Sequence, residues 1–312
     1  QNIQADLAWD ITKGSTSTPI AILDTGIDVN HPDLADKLQF GYNFYDNNSD
    51  LTDICGHGTK VAGAAAAISD NSLGVTGVAW ENPIIPIKIT DSNCYGYYSS
   101  MSKGIIYAAD HGARVANISF GIYGGNALNS ASQYMNDKGG LVVAAGGNSG
   151  NYENYDANGD NPYLISIGAT GSNDVKTSWS SYGEYIDFVA PGSGIYTTRT
   201  GGGYGASSGT SFSSPIVAGA IALMFSYDPT LTPDQVYDAF KTSALDLGDP
   251  GRDNYYGWGK INVYGALQSL DVFTPPVDSE PPVISGMPSN ISIYTDVPSS
   301  SVVTWTLPTA SD

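Results

Sequence analysis

Ile20-Ala21-Ile22-Leu23-Asp24, followed at once by Thr25-Gly26, is an apolar run closed by a carboxylate and a turn. A short continuous apolar run ending in a turn signal reads as a parallel strand buried on both faces. Working outward, similar runs occur at Ile84 to Ile89, Arg114 to Ile118, Leu141 to Ala145, Leu164 to Ala169 and Ile186 to Val189. Helix-compatible stretches lie between several of them, at Gly58 to Ala67, Tyr98 to His111 and Gly125 to Lys138, with two more at Ser214 to Ser226 and Thr232 to Thr242. Strands alternating with helices predict an α/β domain in which the loops at the strand ends converge on a site.

The composition fits one large domain or two, at 312 residues with 41% hydrophobic and only 14% charged side chains. Intrinsic disorder is a poor reading of such a chain. Twelve Lys and Arg against 31 Asp and Glu give a net charge of −19, which repels nucleic acid and anionic membranes. The acidity suits solubility in salty water or retention of divalent cations, and composition does not choose between them. Runs such as Leu141 to Ala145 and Val217 to Leu223 fall far short of the ~20 residues a membrane span needs, so no span is expected. Absence of long heptad periodicity favours a monomer.

Beyond Leu270 the character changes. Thr274-Pro275-Pro276 and Glu280-Pro281-Pro282 bracket an extended linker, and the tail favours strands at Ile291 to Ile293 and Val302 to Leu307. The expected division is a domain over 1–270, a Pro-rich linker over 271–282 and a strand-rich segment over 283–312. Beginning at Gln1 without Met, the chain reads as a mature product or an excised fragment.

Three separated segments carry chemistry together. Asp24 ends a strand; His57 sits in Gly56-His57-Gly58-Thr59 ahead of an Ala-rich helix; Ser211 sits in Gly209-Thr210-Ser211-Phe212-Ser213-Ser214-Pro215. A buried Asp can orient a neutral imidazole, the imidazole can take the seryl proton, and the serine oxygen can attack an acyl carbon. The order Asp, His, Ser is one of the known triad orders. Singly, each has a bland reading as turn carboxylate, turn histidine or helix cap. Asn148, in Ala144-Ala145-Gly146-Gly147-Asn148-Ser149-Gly150, follows a strand and can donate its amide to an oxyanion beside the Ser211 N–H. His31 and His111 read as structural.

These motifs, over residues 3 to about 268, resemble the subtilisin-like serine proteases, in particular their thermitase branch. The resemblance implies a three-layer α/β fold with a mostly parallel central sheet flanked by helices. It also implies a secreted endopeptidase that hydrolyses proteins and peptides through an acyl-enzyme, kept inactive in its precursor by an upstream inhibitory propeptide. By the same resemblance Ser119-Phe120-Gly121 form a backbone edge that pairs with substrate. Ala145, Gly146 and Gly147 line the principal pocket, and Tyr98 and Met101 lie nearer a distant apolar subsite. Broad specificity with apolar or aromatic preference is then expected. Four positions depart from the family pattern: Lys60, Phe212, Ser213 and Ile216.

Ser69-Asp70-Asn71-Ser72-Leu73-Gly74-Val75 resembles the family's calcium loop, with Asp33, the Asn71 side chain and the carbonyls of Ser69, Leu73 and Val75 as ligands. A second calcium is expected at Asp46, Asp50 and Asp53, whose crowded carboxylates would otherwise repel one another. A zinc protease is disfavoured by the lack of a His-Glu-x-x-His pattern and by a count of three histidines. Cys55 and Cys94 permit one disulfide that would tie two active-site loops; an unpaired buried pair is the alternative. The tail segments Pro281-Pro282-Val283-Ile284, Met287-Pro288-Ser289-Asn290-Ile291 and Val303-Thr304-Trp305 to Asp312 resemble the opening of an HYR-type immunoglobulin-like module, with Met287 at its usual Cys position. The competing reading is an extracellular binding or adhesion protein on a weakened protease scaffold. An esterase is disfavoured because Ser211 lacks the Gly-x-Ser-x-Gly setting.

Overall fold

Seven strands, β1 Ile20–Asp24, β2 Tyr42–Asn43, β3 Ile84–Lys88, β4 Val115–Gly121, β5 Leu141–Ala145, β6 Leu164–Thr170 and β7 Phe188–Pro191, form one sheet. Their order is β2-β3-β1-β4-β5-β6-β7 and every pairing is parallel, in a computed structural model that describes residues 3–121, 126–154, 161–273, 283–285 and 309–311. The helices are α1 Ala5–Ala8, α2 His57–Ala66, α3 Tyr98–Asp110, α4 Asn126–Asp137, α5 Thr210–Tyr227, α6 Pro233–Ser243 and α7 Val263–Phe273.

Strand β1 shows why its sequence is apolar at every position. Ile20 and Ile22 enter a core shared with Val61 of α2, Val217 and Ile221 of α5, Phe240 of α6 and Leu267 of α7. Ala21 and Leu23 enter a second core with Met101 and Ile105 of α3 and Leu128 and Met135 of α4. The sheet is therefore the middle of three layers, and a strand covered on both faces loses the polar half of its alternation. By the two-residue period Asp24 falls on the face of Ile20 and Ile22, toward the layer that contains α2 and α5.

Helix α5 is buried from Thr210 to Phe225. It is long and apolar enough to span a membrane by composition, but 89% of that window is buried inside the fold, which makes it a core helix. Its close approach to α2 depends on Gly219, where an added Cβ would lie 2.7 Å from the Ala65 carbonyl. Gly58 does the same for α2 and β1, since a Cβ there would meet the Gly26 carbonyl at 2.1 Å. Helix α6 opens with a capping box, Gln235 N–H to Thr232 Oγ1 at 3.2 Å and Thr232 N–H to Gln235 Oε1 at 2.8 Å, with Pro233 first in the helix.

An antiparallel pair, β8 Ile195–Arg199 and β9 Gly203–Ser207, stands apart from the main sheet. The chain divides into units Gln1–Leu270 and Asp271–Asp312. In the second, β10 Val283–Ser285 pairs antiparallel with β11 Thr309–Ser311. Residues 271–273 of the expected linker end α7; the rest of the linker to 282, the strands expected at 291–293 and 302–307, and most of the HYR-like resemblance lie outside the described residues.

Candidate active site

The C-terminal end of the sheet brings three residues together from the end of one strand and the starts of two helices. Asp24 closes β1, His57 opens α2 and Ser211 is the second residue of α5. His57 Nδ1 lies 2.7 Å from Asp24 Oδ1, which also accepts the Thr25 N–H at 2.8 Å. A carboxylate can only accept, so Nδ1 carries the proton and Nε2 of the neutral ring keeps its lone pair. Burial lowers the imidazole pKa, but the charge and hydrogen bond of Asp24 outweigh it, leaving the pKa raised above its ordinary value. The rings of Phe120 and Phe212 stand 5.8 and 5.9 Å from the imidazole.

The position of Ser211 follows from a proline. Pro215 has no N–H to offer the Ser211 carbonyl four residues earlier in the helix. The Ser119 hydroxyl takes that place, donating to the Ser211 carbonyl at 2.9 Å, while Asn117 Nδ2 donates to Ser119 Oγ at 2.9 Å. Strand β4 thereby holds the first turn of α5. Ser211 Oγ donates to the Ser119 carbonyl at 3.1 Å and makes no hydrogen bond to His57. A change of χ1 well releases it.

Asn148 behaves as a helix cap supplied from another loop. Its Oδ1 accepts the Thr210 N–H at 2.9 Å and the Thr210 hydroxyl at 3.0 Å, which fixes the amide with Nδ2 as its remaining donor. The N–H groups of the first turn of α5, Ser211 among them, have no acceptor within the helix. A side-chain N–H and a helix-terminal N–H beside a serine are the elements of an oxyanion site.

These residues open onto a cleft of ≈ 490 Å³, which Ser119, Phe120, Gly121, Ala145 and Gly147 also line. The pairing of β4 with β5 slips between Ile118 and Gly121, and β4 leaves β1 after Ile118. Ser119 and Phe120 consequently sit outside both ladders, with backbone groups available to an extended chain. Met101 is 2% exposed in the α3 core, on the face of Ile105 and Ala108, and its methyl group and the Phe120 ring both lie beside Gly96. Gly146 is buried in the turn, its N–H on Ile167 and its carbonyl on Tyr185. Tyr98 is exposed at the start of α3.

The loop before α2 departs most from expectation. Among the described residues no three His, Cys, Asp or Glu side chains converge on a metal position. Asp53 turns inward instead. Its Oδ1 accepts from Thr25 Oγ1 at 2.6 Å and Gly56 N–H at 2.8 Å; its Oδ2 accepts from Thr59 N–H at 2.8 Å and Thr59 Oγ1 at 2.6 Å. Thr25 Oγ1 in turn accepts the Gly58 N–H at 2.9 Å. One carboxylate thus braces the residues after Asp24 and on both sides of His57. Asp50 is engaged by Thr52 and Asp46 by the Asn43 amide. Cys55 and Cys94 form a disulfide, with a Cα separation of 6.2 Å, that ties this loop to the one before α3.

The loop after α2 wraps a carboxylate from elsewhere. Asp33 is fully buried, and its oxygens accept Asn71 Nδ2 at 2.7 Å and Val75 N–H at 3.3 Å. Asp70, Ser72 and Gly74 all have positive φ, which bends the loop around it. Burial, together with the charge of Asp33, pushes the nearby Tyr204 hydroxyl up to about 12. A buried carboxylate with only neutral partners leaves negative charge uncompensated, so the donor set fits a hard cation once the Asn71 amide turns its oxygen inward. His31 is structural, Nδ1 accepting the Asp33 N–H and Nε2 donating to the Gly203 carbonyl.

Comparison with known proteins adds the family. Residues 15–259 match the model of the Subtilase family, peptidase S8. Thermitase of Thermoactinomyces vulgaris is 41% identical over 270 residues, covering 86% of this chain and 94% of that protein. Subtilisin DY of Bacillus licheniformis is 42% identical over 272 residues, covering 85% and 96%. The crystal structure of a lanthipeptide protease superposes with a TM-score of 0.76 at 27% identity, covering 86% of this chain and 92% of that one.

Proposed function

The chain belongs to the subtilase family and is a serine endopeptidase, and we propose that Ser211, His57, Asp24 and Asn148 carry its reaction. In this reading the Ser211 hydroxyl leaves the Ser119 carbonyl, gives its proton to His57 Nε2 and attacks the scissile carbonyl. The oxyanion takes hydrogen bonds from Asn148 Nδ2 and the Ser211 N–H. His57 then protonates the departing amine, and a water activated by the same nitrogen hydrolyses the acyl-enzyme. Asp24 holds the tautomer throughout. The observation that carries the reading is the Asp24–His57 pair at 2.7 Å, with His57 and a helix-terminal serine lining one cleft.

Substrate chain pairs with Ser119, Phe120 and Gly121, and the pocket beside Ala145 and Gly147 prefers an apolar or aromatic side chain. The small residues there leave space for the ring or branched chain, and peptide pairing leaves the remaining positions broad. The open cleft supports the enzyme over the binding-protein alternative.

A calcium ion held by Asp33, Asn71 and carbonyls of the 69–75 loop would neutralise a buried charge and stiffen the segment that follows α2. Its part is structural. The protein acts outside the cell, after loss of an inhibitory propeptide, and its tail opens an HYR-type module, a reading supported by the antiparallel pair of β10 and β11.

The test is digestion of denatured casein by the purified protein and by Ser211→Ala, with cut sites located by mass spectrometry. In a related enzyme removal of the nucleophile costs on the order of 10⁶ in kcat. Cleavage lost in Ser211→Ala supports the assignment. Cleavage that persists in the variant contradicts it.

A further inference from the structure

Among the described residues that line the catalytic cleft, Lys60 alone is a Lys, Arg, Asp or Glu. It lies three positions after His57 on α2, and side chains at that spacing share a helix face. Its neighbours on the helix, Thr59 and Val61, are fully buried against the fold, whereas Lys60 is half-buried at the cleft wall. The backbone carbonyl of Lys60 is taken by Thr197 Oγ1 at 2.8 Å. Its ammonium, by contrast, has no hydrogen bond, ion pair or ring contact among the described residues. Lysines commonly extend into water over a solvated face, but this one opens onto the space where the peptide lies.

The charge is felt there. Lys60 acts on the His57 imidazole against the opposing influence of Asp24 and Asp53. Those two carboxylates sit behind the imidazole and are consumed by hydrogen bonds, Asp24 by His57 and Thr25 and Asp53 by its four donors. Neither lines the cleft, so Lys60 sets the sign of the wall that substrate meets. In a chain of net charge −19 this is a local reversal of the general field, which otherwise disfavours acidic substrates.

We propose that Lys60 is a specificity-determining residue that recognises an acidic side chain of the substrate close to the scissile bond. The proposal rests on the endopeptidase reading and adds a substrate class to it: proteins cut beside Asp or Glu, with Lys and Arg disfavoured at the same position. Apolar preference in the pocket beside Ala145 and Gly147 is separate, because that wall carries no charge.

The experiment uses paired peptides that differ by Glu against Gln at one position, from three residues before the cut to three after it. The ratio of kcat/KM within each pair is the readout, so a general loss of activity or folding in a variant cancels. At one position near the cut the wild type is expected to favour Glu roughly three- to fivefold, the scale of a partly solvated ion pair. The preference is expected to shrink as salt rises. Lys60→Gln abolishes it, Lys60→Glu reverses it, and Lys60→Arg retains it. A wild-type ratio near one at every position, or a ratio unchanged in Lys60→Gln, overturns the proposal. Failure of the wild type to cut any peptide of either kind overturns the endopeptidase reading instead, and is recognised by loss of the Gln series as well.

Discussion

The two loops that flank helix α2 are both rich in Asp and Asn, yet they fold around opposite requirements. The loop before the helix holds three carboxylates, and each finds donors within or next to the loop; Asp53 alone takes four hydrogen bonds. The loop after the helix contributes no buried carboxylate of its own and closes instead around Asp33, fully buried with neutral partners. Crowded carboxylates in the first loop are met by hydrogen-bond donors, whereas the second loop leaves a buried carboxylate with neutral partners alone.

Several substitutions test that contrast. The largest effect is expected from Asp53→Ala, which strands buried donors on Thr25, Gly56 and Thr59 that are worth about 1–3 kcal/mol each when unsatisfied. A loss of roughly 3 kcal/mol or more in urea unfolding is expected, with kcat/KM falling because the residues around His57 lose their brace. Calcium bound to Asp53 would make the loss vanish under chelator, and no such dependence is expected. Next in size is calcium at the second loop. Added calcium at about 100 times its Kd should stabilise the protein by about 2.7 kcal/mol, and Asp33→Asn should remove most of that response.

A smaller effect concerns pH. The raised His57 pKa means that kcat/KM falls as pH drops through a midpoint above the ordinary histidine value, because the base is then protonated. Asp53 raises that pKa and Lys60 lowers it, so Asp53→Asn should move the acid limb downward and Lys60→Gln upward. The smallest effect belongs to Asp50→Asn, at an exposed turn held by Thr52. It should change stability by no more than about 0.5 kcal/mol and leave the calcium response intact.

Much of this architecture was legible because the sheet is buried on both faces. Runs such as Ile20 to Asp24 and Leu141 to Ala145 coincide with strands to the residue, and the other four lie within two residues of their expected limits, except that the run at Arg114 to Ile118 extends to Gly121. The start of α5 was set four residues late, at Ser214 instead of Thr210, since Ser-Phe-Ser-Ser-Pro reads as a cap. Ser119 makes the proline tolerable, from 92 residues away. The Gly-rich β8–β9 pair gives no comparable apolar signal; α7 does, with Val263, Ala266, Leu267 and Leu270 at helical spacing, although no helix is expected there. In the site, Asp24 and His57 come together as their motifs imply. Met101 is buried on the core face of α3, as its three- and four-residue spacing to Gly104 and Ile105 implies. The role of Asp53 was hidden, because its partners are fixed only when the turn after β1 meets the start of α2.

The most direct test of a nucleophile activated by the Asp24–His57 pair is covalent labelling with phenylmethylsulfonyl fluoride, read by intact mass and peptide mapping on the wild type and on His57→Ala. One adduct, on the peptide containing Ser211, formed rapidly in the wild type and lost in His57→Ala, is the expected result. An adduct at another residue, or equal labelling of Ser211 with and without the imidazole, would contradict it.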